Sequence, residues 1–253
     1  MHEPLEQSPL RVLIAIVDPN PSGVPPDSLE GRSKRDIRSK TRQLEAQGIR
    51  VVEYQPPVPA AIIAQMKNVS DEWLRIPGRR ERSFAVGYFD SDYLRSTPVL
   101  AAVDVGGKML AFINLISVDG DEITGDLMRR RANAPNGIMD YLLFELLLHA
   151  KERGYGKVSL GLAPMTGFQE GERATVEERV IHAFLQKLDF LFSFRGLHRY
   201  KAKFGTSWEP RYLIYGNMLQ LPRTALALHR LSETKGDTDA GLLSEERQAY
   251  NSR

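Results

Sequence analysis

At 253 residues, with 42% apolar and 26% charged composition, the chain is long enough to bury a substantial core and reads as an ordinary globular protein of one domain or two small ones. A formal net charge of +2 is too small to mark a chain-wide nucleic-acid binder, so any basic partner site has to be local. With no cysteine, disulfides, zinc–thiolate sites and a cysteine nucleophile are excluded.

The first residues carry Glu3, Glu6 and two prolines where a secretion signal would place basic residues and an apolar stretch. Residues 11–17 (RVLIAIV) are a β-branched strand, stopped by Pro19 and Pro21, and residues 18–28 form a loop or linker rich in Pro, Gly and Ser. A polar helix is predicted over 28–47 and ends at Gly48. Its charges are mostly basic (Arg32, Lys34, Arg35, Arg38, Lys40, Arg42), which suits a negatively charged partner or simply a solvated face.

A strand at 49–54 is broken by Pro56, Pro57 and Pro59, and a helix follows over 60–74. Strands are then predicted at 84–87, 99–105, 109–117 and 122–128, with Gly106-Gly107 as a hairpin turn between two of them. Residues 137–153 are apolar nearly all round, the pattern of a helix packed from several sides, and Gly154 closes it. Further along come a strand at 158–162, a helix at 174–187, a short helix or turn at 198–204, a strand at 212–215, a helix at 221–231 and a polar tail at 232–253. Antiparallel strands in the middle, then a buried helix leading to another strand, predict an α+β fold whose mixed sheet is flanked by helices. The apolar part of 138–150 falls far short of the roughly 20 residues needed to cross a bilayer.

Four segments could carry chemistry. Asp126-Leu127-Met128-Arg129 ends a strand, where a carboxylate suits an ammonium group and a guanidinium suits a phosphate or carboxylate. Simple alternation puts Asp126 and Arg129 on opposite faces unless the strand ends early, and a surface ion pair with Arg130 or Arg131 is the plain alternative. Asn136 and Gly137 turn the chain into the long helix, so its N-terminal amides could hold an anion, or Asn136 could act only as a cap. Gly161, in a run of small residues, permits close backbone approach to a ligand or simply makes a tight turn. The stretch from Phe192 to Arg211 interleaves Arg195, Arg199, Lys201, Lys203 and Arg211 with aromatic rings. It fits a phosphate-binding surface with stacking platforms, or a helix edge whose lysines lie over aromatic core residues. His2, His149, His182, His198 and His229 lack metal-ligand spacing, and no GxSxG elbow, Walker loop or GxGxxG is present, so neither a metal nor a cofactor is expected.

Taken in order, SDEWL (70–74), ERSFAVGYFD (81–90), AFINL (111–115), DLMR, PNGIMDYLLFELL, GYGKVSLGLAPMTG, FRGLHRYKAKF and WEPRYL resemble the cytosolic catalytic domain of the phosphatidylglycerol aminoacyltransferases, the lysyl- or alanyl-phosphatidylglycerol synthases also called multiple peptide resistance factors. The resemblance covers roughly residues 32–231, and the joint occurrence is specific where no single piece is. It implies an acetyltransferase-like (GNAT-type) fold with a largely antiparallel sheet over residues 31–231, after an N-terminal strand and linker at 1–30. It implies transfer of a lysyl, alanyl or related group from aminoacyl-tRNA to phosphatidylglycerol, by a cytoplasmic protein held peripherally on the inner face of the cytoplasmic membrane. The family pairs two such units, so an upstream domain or partner chain is expected to supply the other. Carried over residue by residue, the resemblance puts catalytic weight on Asp126, Arg129 and Lys201, with Arg199 and Lys203 beside them. Asn136, Gly137, Gly161 and Arg211 complete the expected substrate-binding set. Two rivals remain: an acetyl-CoA-dependent N-acetyltransferase, which needs a Gly-rich pyrophosphate loop where 131–137 stand, and a non-catalytic module that binds tRNA or anionic membrane.

Overall fold

In the computed structural model the described residues are 10–19, 35–79, 81, 88–118, 120–163, 194–204 and 207–213. The strand expected at 84–87, the helices at 174–187 and 221–231, and the C-terminal tail lie outside them. The strands are β1 (Leu10–Val17), β2 (Arg50–Tyr54), β3 (Val99–Val103), β4 (Met109–Val118), β5 (Glu122–Arg130), β6 (Lys157–Ala163) and β7 (Ser207–Leu213). The helices are α1 (Arg35–Ala46), α2 (Ala60–Leu74), α3 (Ser91–Arg95), α4 (Ile138–Glu152) and α5 (Phe194–Ala202). The strands make one seven-stranded sheet in the order β2-β3-β4-β5-β6-β1-β7. All neighbours are antiparallel except β5 and β6. This is the expected α+β architecture, a mixed and largely antiparallel sheet flanked by helices.

Local chemistry explains most of these elements. Asp104, Gly106 and Gly107 turn β3 into β4, with the Asp104 carboxylate accepting from the backbone N–H of Gly106 and of Lys108. Buried Ile37, Thr41 and Leu44 recur at helical spacing on α1, and Ile63, Met66, Val69 and Ser70 do the same on α2. The apolar surround of α4 is used as expected: Ile138, Tyr141, Leu142, Leu143, Leu146 and Ala150 are all buried.

Helices cover both faces of the sheet. On one face Ile37 and Leu44 of α1 and Leu142 and Leu146 of α4 pack on Leu100, Ala111, Ile113 and Val158. On the other, Ile63, Met66 and Val69 of α2 and Leu94 of α3 pack on Val99, Ala101, Phe112 and Leu127. Gly125 shows how tightly the first face is filled. A Cβ there would lie 2.1 Å from Cδ1 of the fully buried Ile113. Gly125→Ala is therefore expected to cost about 1–3 kcal/mol by overpacking, read as a lower urea midpoint at unchanged slope.

Two irregularities shape the middle of the sheet. The parallel pair β5–β6 is in register only from Glu122↔Lys157 to Thr124↔Ser159. The Thr124 hydroxyl donates to the Ser159 carbonyl at 3.0 Å at this last pairing, and beyond it no further rungs join the two strands. Next to this gap β5 carries a bulge: its pairing with β4 runs Ile113↔Met128 and then Leu115↔Gly125, so Asp126 and Leu127 together oppose Asn114 alone.

Candidate functional site

The bulge decides where Asp126 points. Plain alternation separates it from Arg129, but the extra residue turns Asp126 to the face that also holds Leu127 and Arg129. Asp126 meets α3 there, accepting a hydrogen bond from the Tyr93 hydroxyl at 2.8 Å. Arg129 meets α2 on the same face. The sequence expectation of opposite faces is thus corrected, and the cause is a one-residue insertion in the ladder that side-chain periodicity does not reveal.

Arg129 is only 3% exposed. Its guanidinium donates to Ser70 Oγ at 3.1 Å and to Glu81 at 2.5 Å, and its Cζ lies over the Trp73 ring, 4.2 Å from the ring centre. A planar fork with five donors is the one cationic side chain that can satisfy two acceptors and stack on an indole together. The neighbouring Arg131 serves a different purpose: it binds Glu72 at 2.7 Å, and Glu72 also accepts from the Ala132 N–H. Ser70, Glu72 and Trp73 all come from the SDEWL segment, so that segment is the bed on which the two arginines rest.

Lys201 stands against β6, on a helix whose Tyr200, with Phe204 just past its end, packs in the α1–α4 cluster. It is 8% exposed on α5, and a Cβ on Gly161 would come within 3.7 Å of its Nζ. Gly161 sits two residues past the last β5–β6 pairing on β6, as Asp126 does on β5. Gly161 adopts φ +78, the left-handed region natural to glycine, in a bulge where Leu160 and Gly161 oppose Ala15 of β1. Burial pushes the Lys201 ammonium down to about 8.

The remaining candidates gather at a second place, the junction of α1, α4 and α5. Gly137, not Asn136, is the N-cap of α4, with φ +87, and Asn136 is exposed. The side chain of Lys40 packs over Gly137, leaving no room for a Cβ. Asp140, 5% exposed in the first turn of α4, is flanked by Lys203 at 3.8 Å and Lys40 at 4.0 Å. Tyr200 packs alongside, its hydroxyl pushed well up by burial and by Asp140. This helix start is poorly made for a pyrophosphate: a buried carboxylate already occupies its first turn, the Ala132 N–H is given to Glu72, and the Ala134 N–H to the Arg131 carbonyl.

The basic–aromatic stretch splits along the helical period. Lys201 and Phe204 are buried and Tyr200 packs on the core, whereas Arg199 is exposed and His198 stacks on Trp208 with ring centres 4.4 Å apart. Arg211 lies in β7, the last strand of the sheet among the described residues, opposite Val12. Sequence reasoning missed Tyr93, Asn114 and Glu81 as parts of the site. Glu81 falls within the ERSFAVGYFD segment and Asn114 within AFINL, so their signal was the segment resemblance alone.

Comparison with known proteins shows the family. Residues 27–215 match the family model described as phosphatidylglycerol lysyltransferase, C-terminal. The chain is 32% identical over 205 residues to a phosphatidylglycerol lysyltransferase of Bacillus subtilis, covering 81% of this chain and 24% of that protein. It is 31% identical over 206 residues to one of Staphylococcus epidermidis, with the same shares. The solved structure of L-PGS from Bacillus licheniformis superposes with a TM-score of 0.75 at 29% identity, over 89% of this chain and 67% of that one. The chain thus spans about a quarter of the length of these relatives, and it belongs to the phosphatidylglycerol lysyltransferase C-terminal family.

Proposed function

We propose that the chain transfers an aminoacyl group from aminoacyl-tRNA to the headgroup of phosphatidylglycerol, in the gap between β5 and β6. The observation that carries this reading is the bulge, which turns Asp126 to the face of Arg129 beside the place where the β5–β6 pairing stops. A carboxylate and a guanidinium on one sheet face, with a lysine against the neighbouring strand β6, suit a substrate with an ammonium at one end and a phosphate at the other.

The reaction is an ester-to-ester exchange. A glycerol hydroxyl of the lipid attacks the aminoacyl carbonyl carbon, the bond to the ribose oxygen breaks, and the hydroxyl proton passes to that oxygen. Donor and acceptor esters are close in energy, so positioning and charge stabilisation supply most of the catalysis and no covalent enzyme intermediate is needed. Asp126 binds the α-ammonium of the donor or orients the attacking hydroxyl, while Arg129 and Lys201 neutralise the headgroup phosphate or the tetrahedral oxyanion. Arg199, Lys203 and Arg211, with the basic residues of α1, engage phosphates of the tRNA or of the membrane surface. Among the described residues no helix is long and apolar enough to cross a membrane; we assign the chain to a peripheral position on the inner face of the cytoplasmic membrane, working with a second unit of the same fold.

Cells that make this chain together with its upstream or partner unit should accumulate an aminoacylated, positively charged phosphatidylglycerol in their lipid extracts. Asp126→Ala should lower that lipid at least a hundredfold. A wild-type lipid profile in the variant would remove Asp126 from the mechanism.

A further inference from the structure

The bulge that aims Asp126 is an unstable feature unless something holds it. Inserting a residue into a ladder leaves one backbone N–H without its strand partner, and a buried unpaired N–H is costly. Here that group is the N–H of Leu127, and the side chain of Asn114 accepts from it at 2.7 Å. Asn114 is fully buried, a polar residue in the middle of the apolar strand β4. Its amide nitrogen is turned the opposite way, donating to Thr97 Oγ1 at 3.3 Å, which fixes which end of the amide faces the bulge.

Thr97 follows α3, and its hydroxyl donates to the Leu94 carbonyl at the end of that helix. The start of α3 is also fastened: Asp90 caps it by accepting from the Tyr93 N–H at 2.7 Å. From this anchored helix the Tyr93 hydroxyl reaches Asp126. Two lines of hydrogen bonds therefore run from α3 and close on the same bulge, one on its backbone and one on its carboxylate. The Tyr93 phenol is pushed up to about 12, first by burial and then by its bond to Asp126, so it stays a donor throughout the working range of pH.

We propose that Tyr93 and Asn114 are positioning residues for substrate recognition: Asn114 holds the bulge open and Tyr93 fixes the rotamer of Asp126, so that the carboxylate meets the α-ammonium of the aminoacyl donor. This rests on the reading of Asp126 as the ammonium ligand. Neither residue touches the donor. Each acts by holding a charge in the one orientation where it is of use, and a carboxylate left to rotate would give up part of its preference for a charged amine.

The test measures discrimination, not amount. The whole chain is titrated by NMR with alaninamide and lysinamide and with their Nα-acetyl forms, which keep the amide and lose the α-ammonium. The ratio of the two affinities reports the ammonium contact alone, and a variant that is only partly folded leaves that ratio unchanged. Tyr93→Phe removes one hydroxyl and no volume, and it should lower the preference for the free amine about tenfold, the size of one hydrogen bond to a charged group. Asn114→Ala should lower it similarly, and Asp126→Asn should abolish it. If Asp126→Asn abolishes the preference while Tyr93→Phe and Asn114→Ala keep it at the wild-type value, the positioning proposal is wrong and the reading of Asp126 stands. If Asp126→Asn keeps the preference, or the wild-type chain has none, the reading of Asp126 as ammonium ligand fails and the proposal falls with it.

Discussion

Lys201→Met is expected to lower lipid aminoacylation by a factor of a hundred or more and, at the same time, to make the fold more stable at neutral pH. The two effects have one cause. Lys201 is 8% exposed, and burial pushes its ammonium down to about 8 from an ordinary 10.5. A lysine whose pKa falls on folding is a group that the unfolded chain protonates more readily. Below about pH 8 both states carry the proton and the folded state bears the full cost of a buried charge. Between about 8 and 10.5 the unfolded chain binds more protons, stability rises with pH, and above that window the cost is gone. Methionine keeps the volume and removes the charge, so the variant gains on the order of 3 kcal/mol below pH 8, and the gain fades to nothing above about 10.5. Urea midpoints of the two proteins across that range measure it. Wild-type transfer, measured in a single turnover and corrected for spontaneous ester hydrolysis, should fall as pH rises through about 8, because the proposed role needs the cation. A rate that rises there would assign Lys201 as the base instead.

Arg129→Ala carries the largest expected loss of stability. Its guanidinium is buried between Ser70, Glu81 and the Trp73 ring, and removal strands both oxygen partners and opens a hole beside the indole. Breaking a buried ion pair from one side costs about 3–5 kcal/mol, so a melting temperature roughly 10 °C lower is expected, together with loss of transfer. Arg129→Lys should recover little of either, since an ammonium cannot bond Ser70 and Glu81 and cover the Trp73 ring together. A lysine variant with the wild-type melting temperature and rate would mean that the fork geometry is irrelevant. A lone buried ion pair is weak evidence for stability, because apolar residues of similar size often do as well.

Much of the fold was legible in the sequence because long elements announce themselves by period and by punctuation. Helices α2 and α4, the hairpin at Gly106-Gly107 and the strands from β1 to β6 fall within a few residues of where apolar spacing, proline and glycine place them. The failures have physical reasons. Helix α3 spans five residues, too few for a 3.6-residue period to register, and it is identified by the capping Asp90 only once the backbone is known. The expected short helix or turn at 198–204 is the helix Phe194–Ala202, and the strand expected at 212–215 is Ser207–Leu213, because apolar and basic residues alternate there without a clear period.

The site was legible in part. Asp126, Arg129 and Lys201 were singled out by the segment resemblance, but the relation among them could not be read from the chain. A bulge has no spacing signature: Gly125-Asp126-Leu127-Met128 reads as plain alternation, and only the strand opposite reveals that two residues face one. The pairing of Arg129 with Ser70 and Trp73 links segments far apart in sequence, which no local rule supplies. The stretch around Lys201 looked uniformly basic, yet the helical period buries Lys201 and leaves Arg199 exposed one residue earlier.

The central claim is that this fold carries an aminoacyl group from RNA to lipid through the gap between β5 and β6. The most direct measurement supplies the chain, with its upstream or partner unit, with tRNA charged with a labelled amino acid and vesicles containing phosphatidylglycerol, and follows the label into the organic phase. Label should appear there as aminoacyl-phosphatidylglycerol with wild-type protein, and fall to background with Asp126→Ala, Arg129→Ala and Lys201→Met. Equal transfer by wild type and all three variants would place the chemistry somewhere other than the strand gap.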